Sequence, residues 1–234
     1  MLQIKPLASG SSGNCYLIKD GSSSLLIEAG IPLQKIKEGL NYKVHELDGC
    51  LISHEHKDHC KSAGEIAKCG IDLYLSKGTF EQMNIISHRV NIIENKQQFE
   101  LNNWTIVPFE LKHDAEEPTG FLIYSQSTNE ILTYITDTMY SKAVFPNVNY
   151  IMVECNYSLG ILNKNVKSGR VPAVQKKRLV KTHFGLENVK DFLKANDLSQ
   201  VRQIWLLHLS EQNSNAELFK KEIQQLTGKP TFIA

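Results

Sequence analysis

Apolar and polar positions alternate in short runs through the first half of the chain, and each run stops at a Gly- or Ser-rich break. Leu2–Leu7, Cys15–Lys19, Ser24–Glu28 and Gly49–Ser53 read as strands, separated by turns such as Ser9-Gly-Ser-Ser-Gly-Asn14. Pro32–Leu40 and Lys61–Cys69 read as short helices between and after them. Further strands are predicted at Thr105–Leu111, Gly120–Ser125, Glu130–Thr136, Asn149–Glu154 and Arg202–Leu207. Leu186–Ala195 and Ala216–Leu226 space their apolar residues at three and four, which predicts amphipathic helices; Gly228-Lys229-Pro230 stops the last one. Tyr157–Ala173, rich in Asn, Gly and Lys, reads as a long surface loop of the kind that carries function. Many strands in succession, with helices between and after them, predict two packed sheets with helices outside, in one domain over residues 1–234.

Composition adds limits. With 234 residues and 41 % apolar content the chain can bury a substantial core. No apolar run approaches the roughly 18 residues needed to cross a bilayer, so no membrane partner is expected. The first residues lack a basic-then-apolar export pattern. The five cysteines are odd in number and without C-x-x-C spacing, which fits reduced thiols and a cytoplasmic location. Charge is unevenly spread. Seven basic residues and no acid lie between Gly160 and Leu186, and taking those seven from the net charge of +1 leaves the remainder at −6. Such a block fits either a polyanionic partner or a solvated helix face.

The candidate chemistry is concentrated in Leu51-Ile-Ser-His-Glu-His-Lys-Asp-His-Cys60, which holds three of the eight histidines. Residues two apart in an extended segment face the same way, so His54 and His56 can grip one ion. Asp58 and His59 follow where the chain turns into a helix. Imidazole and carboxylate together suit zinc, manganese or iron. One turn cannot close two coordination shells, and three further candidates each end an apolar run: His113, Asp137 and His208. His45 and His88 lie in polar stretches and read as structural or exposed. Cys60 reads as a small buried thiol, and Trp104 and Trp205 as core.

Taken together, Glu28 in LLIEAG, SHEHKDH, His113, Thr136-Asp-Thr138 and His208-Leu-Ser210 resemble the metallo-β-lactamase superfamily. SGSSGN, PFELKHDAEEPTGF and WLLHLSEQNSN resemble, more narrowly, its YycJ/WalJ group of DNA exonucleases. The resemblance implies an α+β fold, a four-layer αββα sandwich. It also implies two divalent transition-metal ions, Zn2+ or Mn2+. His54, His56 and His113 would hold one ion; Asp58, His59 and His208 the other; and Asp137 would bridge them. The chain has Glu28 where the first motif usually carries aspartate. Only 71 positions separate Asp137 from His208, too few for the inserted domain of the superfamily's RNA-processing exonucleases.

A water held between two such ions loses a proton near neutral pH and becomes the nucleophile. Three features favour a phosphodiester as its target. The basic block, with Lys176, Lys177 and Arg178 at its centre, can neutralise phosphates. The Ser9–Asn14 turn, with Ser9, Ser11, Ser12 and Asn14, lets backbone N–H groups converge on an anion. Glu154 and His183 offer an acid/base pair for the leaving 3′-oxygen, with Asp58 a further catalytic candidate. The leading expectation is therefore a 5′→3′ DNA exonuclease. A phosphodiesterase for small cyclic or nucleotide substrates comes next, then a thioesterase-like hydrolase. A nucleic-acid-binding protein with purely structural metals comes last, because structural sites are closed.

Overall fold

A computed structural model describes all residues from Met1 to Ala234. The chain divides into two compact units, Met1–Glu110 with Ala115–Glu130, and Leu111–Asp114 with Ile131–Ala234.

The first unit carries a six-stranded mixed sheet whose order follows the sequence: β1 (Gln3–Ala8), β2 (Cys15–Lys19), β3 (Ser24–Ile27), β4 (Gly49–Leu51), β5 (Leu73–Ser76) and β6 (Val90–Ile93). The first three strands are antiparallel and joined by the Gly/Ser turns; from β3 onward the pairing is parallel. Its short helices are α1 (Leu33–Gly39), α2 (Lys57–Cys60), α3 (Ala63–Lys68) and α4 (Lys77–Gln82). β3 and β4 are buried at every position, as parallel strands covered on both faces must be. Leu17, Leu26, Ile36, Cys50, Ile66, Leu73 and their neighbours form the core. The same unit holds an antiparallel meander of β7 (Phe99–Leu101), β8 (Trp104–Glu110) and β9 (Thr119–Ser125). β8 alternates buried and half-buried residues over its first six positions, the period-two signal that made it legible. β5, α4, β6 and β7 carry no comparable signal, and β6 and β7 are mostly exposed or half-buried.

The second unit is built on parallel strands β10 (Glu130–Ile135), β11 (Tyr150–Glu154), β12 (Gln203–Leu207) and β13 (Thr231–Ile233). Between β11 and β12 run α5 (Leu159–Lys167), α6 (Ala173–Thr182) and α7 (Leu186–Ala195); α8 (Ala216–Thr227) leads to β13. α7 and α8 lie within one or two residues of their predicted spans. The expected loop at Tyr157–Ala173 is corrected, because most of it is α5. Ser158 caps that helix by accepting from the Ile161 N–H, and Leu162 and Asn165 are its buried positions. A polar residue at a buried position hid the helical pattern. Asn165 is satisfied there by the Gln212 carbonyl and the Asn213 side chain. His45 and His88 are exposed, as read. Trp104 is fully buried and donates to Asp48, and Trp205, half-buried, stacks on Phe232.

Candidate metal centre

In the first unit, the chain leaving β4 passes through buried Ile52 and Ser53 directly into His54. The Ser53 hydroxyl lies 2.8 Å from His54 Nδ1, and the His54 ring centroid is 4.7 Å from that of His56 and 4.1 Å from that of His59. The His56 carbonyl starts α2 by accepting the N–H groups of His59 and Cys60, which sets Asp58 and His59 on the first turn. Glu28 is fully buried with φ 65°, a conformation that costs a non-glycine residue roughly 1–2 kcal/mol. From it Oε1 reaches within 3.4 Å of His59 Nδ1, and Oε2 accepts the Ser53 N–H at 3.3 Å. The longer carboxylate therefore braces both ends of the histidine turn. Cys60, read as a buried thiol, is half-buried; it donates to the Glu55 carbonyl, and partial burial, aided by nearby carboxylates, pushes its thiol up to about 12.

The Ser9–Asn14 turn packs beneath this segment. Asn14 is fully buried: its side chain donates to the Gly10 and Asp58 carbonyls and accepts from the Gly10 N–H and the Tyr16 hydroxyl. The expectation that Asn14 touches substrate is thereby corrected, since a side chain so enclosed holds the Asp58–His59 backbone instead. Ser9 pairs with Tyr16, and Ser11 and Ser12 stay exposed. Gly30 is the tightest point. Its N–H donates to the Asn14 carbonyl, and an added Cβ would stand 1.8 Å from the Asp58 carbonyl oxygen. Gly30→Ala is expected to cost about 1–3 kcal/mol in thermal melting, or more, because backbone must move. An unshifted melting curve would contradict this.

In the second unit, β10, β11 and β12 are parallel and in register, with Ile135 opposite Val153 and Glu154 opposite Leu207. Their carboxyl ends therefore bring Asp137, Glu154 and His208 together. One ligand atom from each of Asp137, Glu154, His183 and His208 lies within 4.8 Å of the others. Asp137 Oδ1 is 2.6 Å from His208 Nδ1, and Oδ2 is 3.5 Å from His113 Nε2 and 3.7 Å from His183 Nδ1. His113 Nδ1 meets the Thr182 carbonyl at 2.6 Å, which fixes the ring. Burial, the chief influence, lowers the His113 imidazole, which favours the neutral form that metal binding would require.

Glu154 is fully buried. Oε2 accepts the N–H groups of Thr138 and Phe184, and Oε1 is 2.6 Å from His183 Nδ1. Burial works against charge on His183, but Glu154, with help from Asp137 and Asp114, outweighs it and raises the imidazole to about 9. α6 ends at Thr182, immediately before His183. On that helix Lys177 and Arg178 are exposed and Lys176 is half-buried; Arg178 Nε donates to Asp114 at 3.1 Å. Thr182 and Asp114 escape a reading of the sequence. A backbone carbonyl carries no residue signature, and a carboxylate beside His113 reads as surface.

A family model described as a beta-lactamase superfamily domain matches residues 25–208. The chain is 29 % identical over 229 residues to an exodeoxyribonuclease WalJ of Streptococcus pneumoniae, covering 91 % of this chain and 83 % of that one. It is 28 % identical over 250 residues to an exodeoxyribonuclease YycJ of Bacillus anthracis, covering 99 % and 91 %. Among solved structures, the metallo-beta-lactamase fold protein YhfI of Bacillus subtilis superimposes with a TM-score of 0.77 at 18 % identity, covering 100 % and 97 %. The α+β metallo-β-lactamase fold expected from the sequence is the fold of this chain.

Proposed function

Since the chain belongs to the beta-lactamase superfamily, a family of metal-dependent hydrolases, we propose that it is a phosphodiester hydrolase acting on DNA as a 5′→3′ exonuclease. The observation that carries this is the continuity of α6 with His183: the helix bearing Lys176, Lys177 and Arg178 runs straight into an imidazole held on buried Glu154. Phosphate recognition and proton donation thus share one segment. The relatives named exodeoxyribonuclease support DNA as the substrate.

The donor set of imidazoles and carboxylates fits zinc or manganese. Following the family's ligand order, we assign His54, His56 and His113 to one ion, Asp58, His59 and His208 to a second, and Asp137 to both, within one domain over residues 1–234. Bound divalent ions supply Lewis acidity, polarising a phosphoryl oxygen and lowering the pKa of a water. The chain does the rest. His183, protonated below about 9, gives its Nε2 proton to the leaving 3′-oxygen as the P–O3′ bond breaks. Glu154 keeps the opposite nitrogen, Nδ1, engaged and stabilises the cation beforehand. Exposed Ser11 and Ser12 serve as anion contacts.

The direct test is a digest of 5′-labelled single-stranded and duplex DNA under zinc and under manganese, with bis-p-nitrophenyl phosphate alongside. Release of 5′-terminal nucleotides is expected. Cleavage of the small ester with DNA left intact would move the function to small cyclic or nucleotide phosphodiesters. Replacing Lys176, Lys177 and Arg178 together by Gln should weaken DNA binding similarly across sequences. The salt dependence should flatten by about 0.9 in slope per lost duplex phosphate contact. Hydrolysis of the small ester should change far less. Unaltered salt dependence would make α6 a solvated face.

A further inference from the structure

β12 pairs with β11 up to Leu207, whose carbonyl accepts the Cys155 N–H. At His208 the backbone turns to φ 50°, and the regular ladder ends. A bulky residue in that region is disfavoured and persists only where its surroundings hold it. What holds it is Asn156. Its side-chain amide donates to the His208 carbonyl at 2.9 Å, in place of the ladder bond that the turn breaks. Its own N–H donates to the Phe184 carbonyl, and its carbonyl accepts the Ser210 N–H, both at 2.9 Å. One residue therefore ties the His183 segment and the His208 segment to the end of β11, two positions after Glu154.

The other half of that amide argues that this is not ordinary core packing. Asn156 is 2 % exposed, and its Oδ1 is buried without a hydrogen-bond partner. An unsatisfied buried acceptor is destabilising, and an apolar or smaller residue would avoid that loss. For stability alone Asn is a poor choice; for placing the His208 carbonyl it supplies the needed donor. We infer that Asn156 is a positioning residue, setting His208 against Asp137 and His183 against Glu154 so that the second unit's donors are held ready for an ion. This rests on the proposed reading of Asp137 and His208 as ligands.

The test uses full-length protein, with zinc and manganese affinities measured by competition with a chromogenic chelator, and kcat and KM measured in parallel. Asn156→Asp keeps the shape but turns an acceptor toward the His208 carbonyl, and Asn156→Ala removes the donor without adding charge. In both, affinity for at least one ion should fall 10–100-fold, the usual cost of losing an outer partner of a ligand. kcat should fall with it and recover at high metal, with KM little changed. The metal-free Ala variant should melt close to wild type. Ser158→Ala removes the α5 cap on the same connection without touching His208, and it should lower stability while leaving metal affinity unchanged. Wild-type metal affinity in both Asn156 variants, or an equal loss in Ser158→Ala, would overturn the inference. A wild-type protein that binds neither ion would instead overturn the ligand reading beneath it.

Discussion

Purified wild-type protein is expected to carry close to two transition-metal equivalents, and Asp137→Ala to lose both together with all detectable turnover. Asp137 is the only carboxylate assigned to both ions, and its two oxygens approach three imidazoles: His208 at 2.6 Å, His113 at 3.5 Å and His183 at 3.7 Å. Removing it takes a negative charge from the middle of that group and leaves the rings without their shared anchor. Loss of an outer partner costs 10–100-fold in metal affinity or activity, so loss of a shared ligand should exceed that range. Asp137→Asn, which keeps the shape but not the charge, should fall with it. Full occupancy of both ions in Asp137→Ala, read by elemental analysis, would remove the bridging assignment.

His183→Ala separates chemistry from binding. If His183 protonates the leaving oxygen, its loss should lower kcat about 10²–10⁴-fold while metal content and DNA affinity hold. A substrate with a nitrophenolate leaving group should recover most of the rate, since that group departs without a proton. The pH profile gives an independent check. The wild-type rate should decline as alkaline pH removes the proton that Glu154 holds on the ring, and the variant should lack that limb. A rate near wild type, or a deficit that a better leaving group does not repair, would return His183 to a structural role.

The residues proposed as metal ligands stand out in the sequence because chemistry and position coincide in them. His54, His56, Asp58 and His59 are adjacent in sequence, and Asp137 and His208 each terminate an apolar strand, where a parallel sheet delivers side chains to one edge. The residues that hold those ligands were less visible. Asn14 looked like part of a substrate turn and is buried under Asp58. Asn165 looked like loop composition and is the satisfied polar position of α5. Asn156 shows nothing in sequence, because its work is done by two main-chain groups and one side-chain nitrogen whose partners lie far along the chain. Between Leu73 and Leu101, β6 and β7 are mostly exposed or half-buried and are held by pairing with their neighbours rather than by an apolar period of their own.

The parallel pairing of β11 with β12 also orders events in time. Asp137 and Glu154 leave the ribosome early, but His208 follows the whole crossover from Cys155 to Arg202, and β12 has no strand to join until that crossover can fold back. A nascent chain therefore displays the histidine turn of the first unit long before it can assemble the donors of the second. During synthesis at roughly 5–20 residues per second, the growing polypeptide passes several seconds as an incomplete hydrolase. On the proposed ligand set, competence arrives in one late step, once His208 has emerged and β12 has paired with β11.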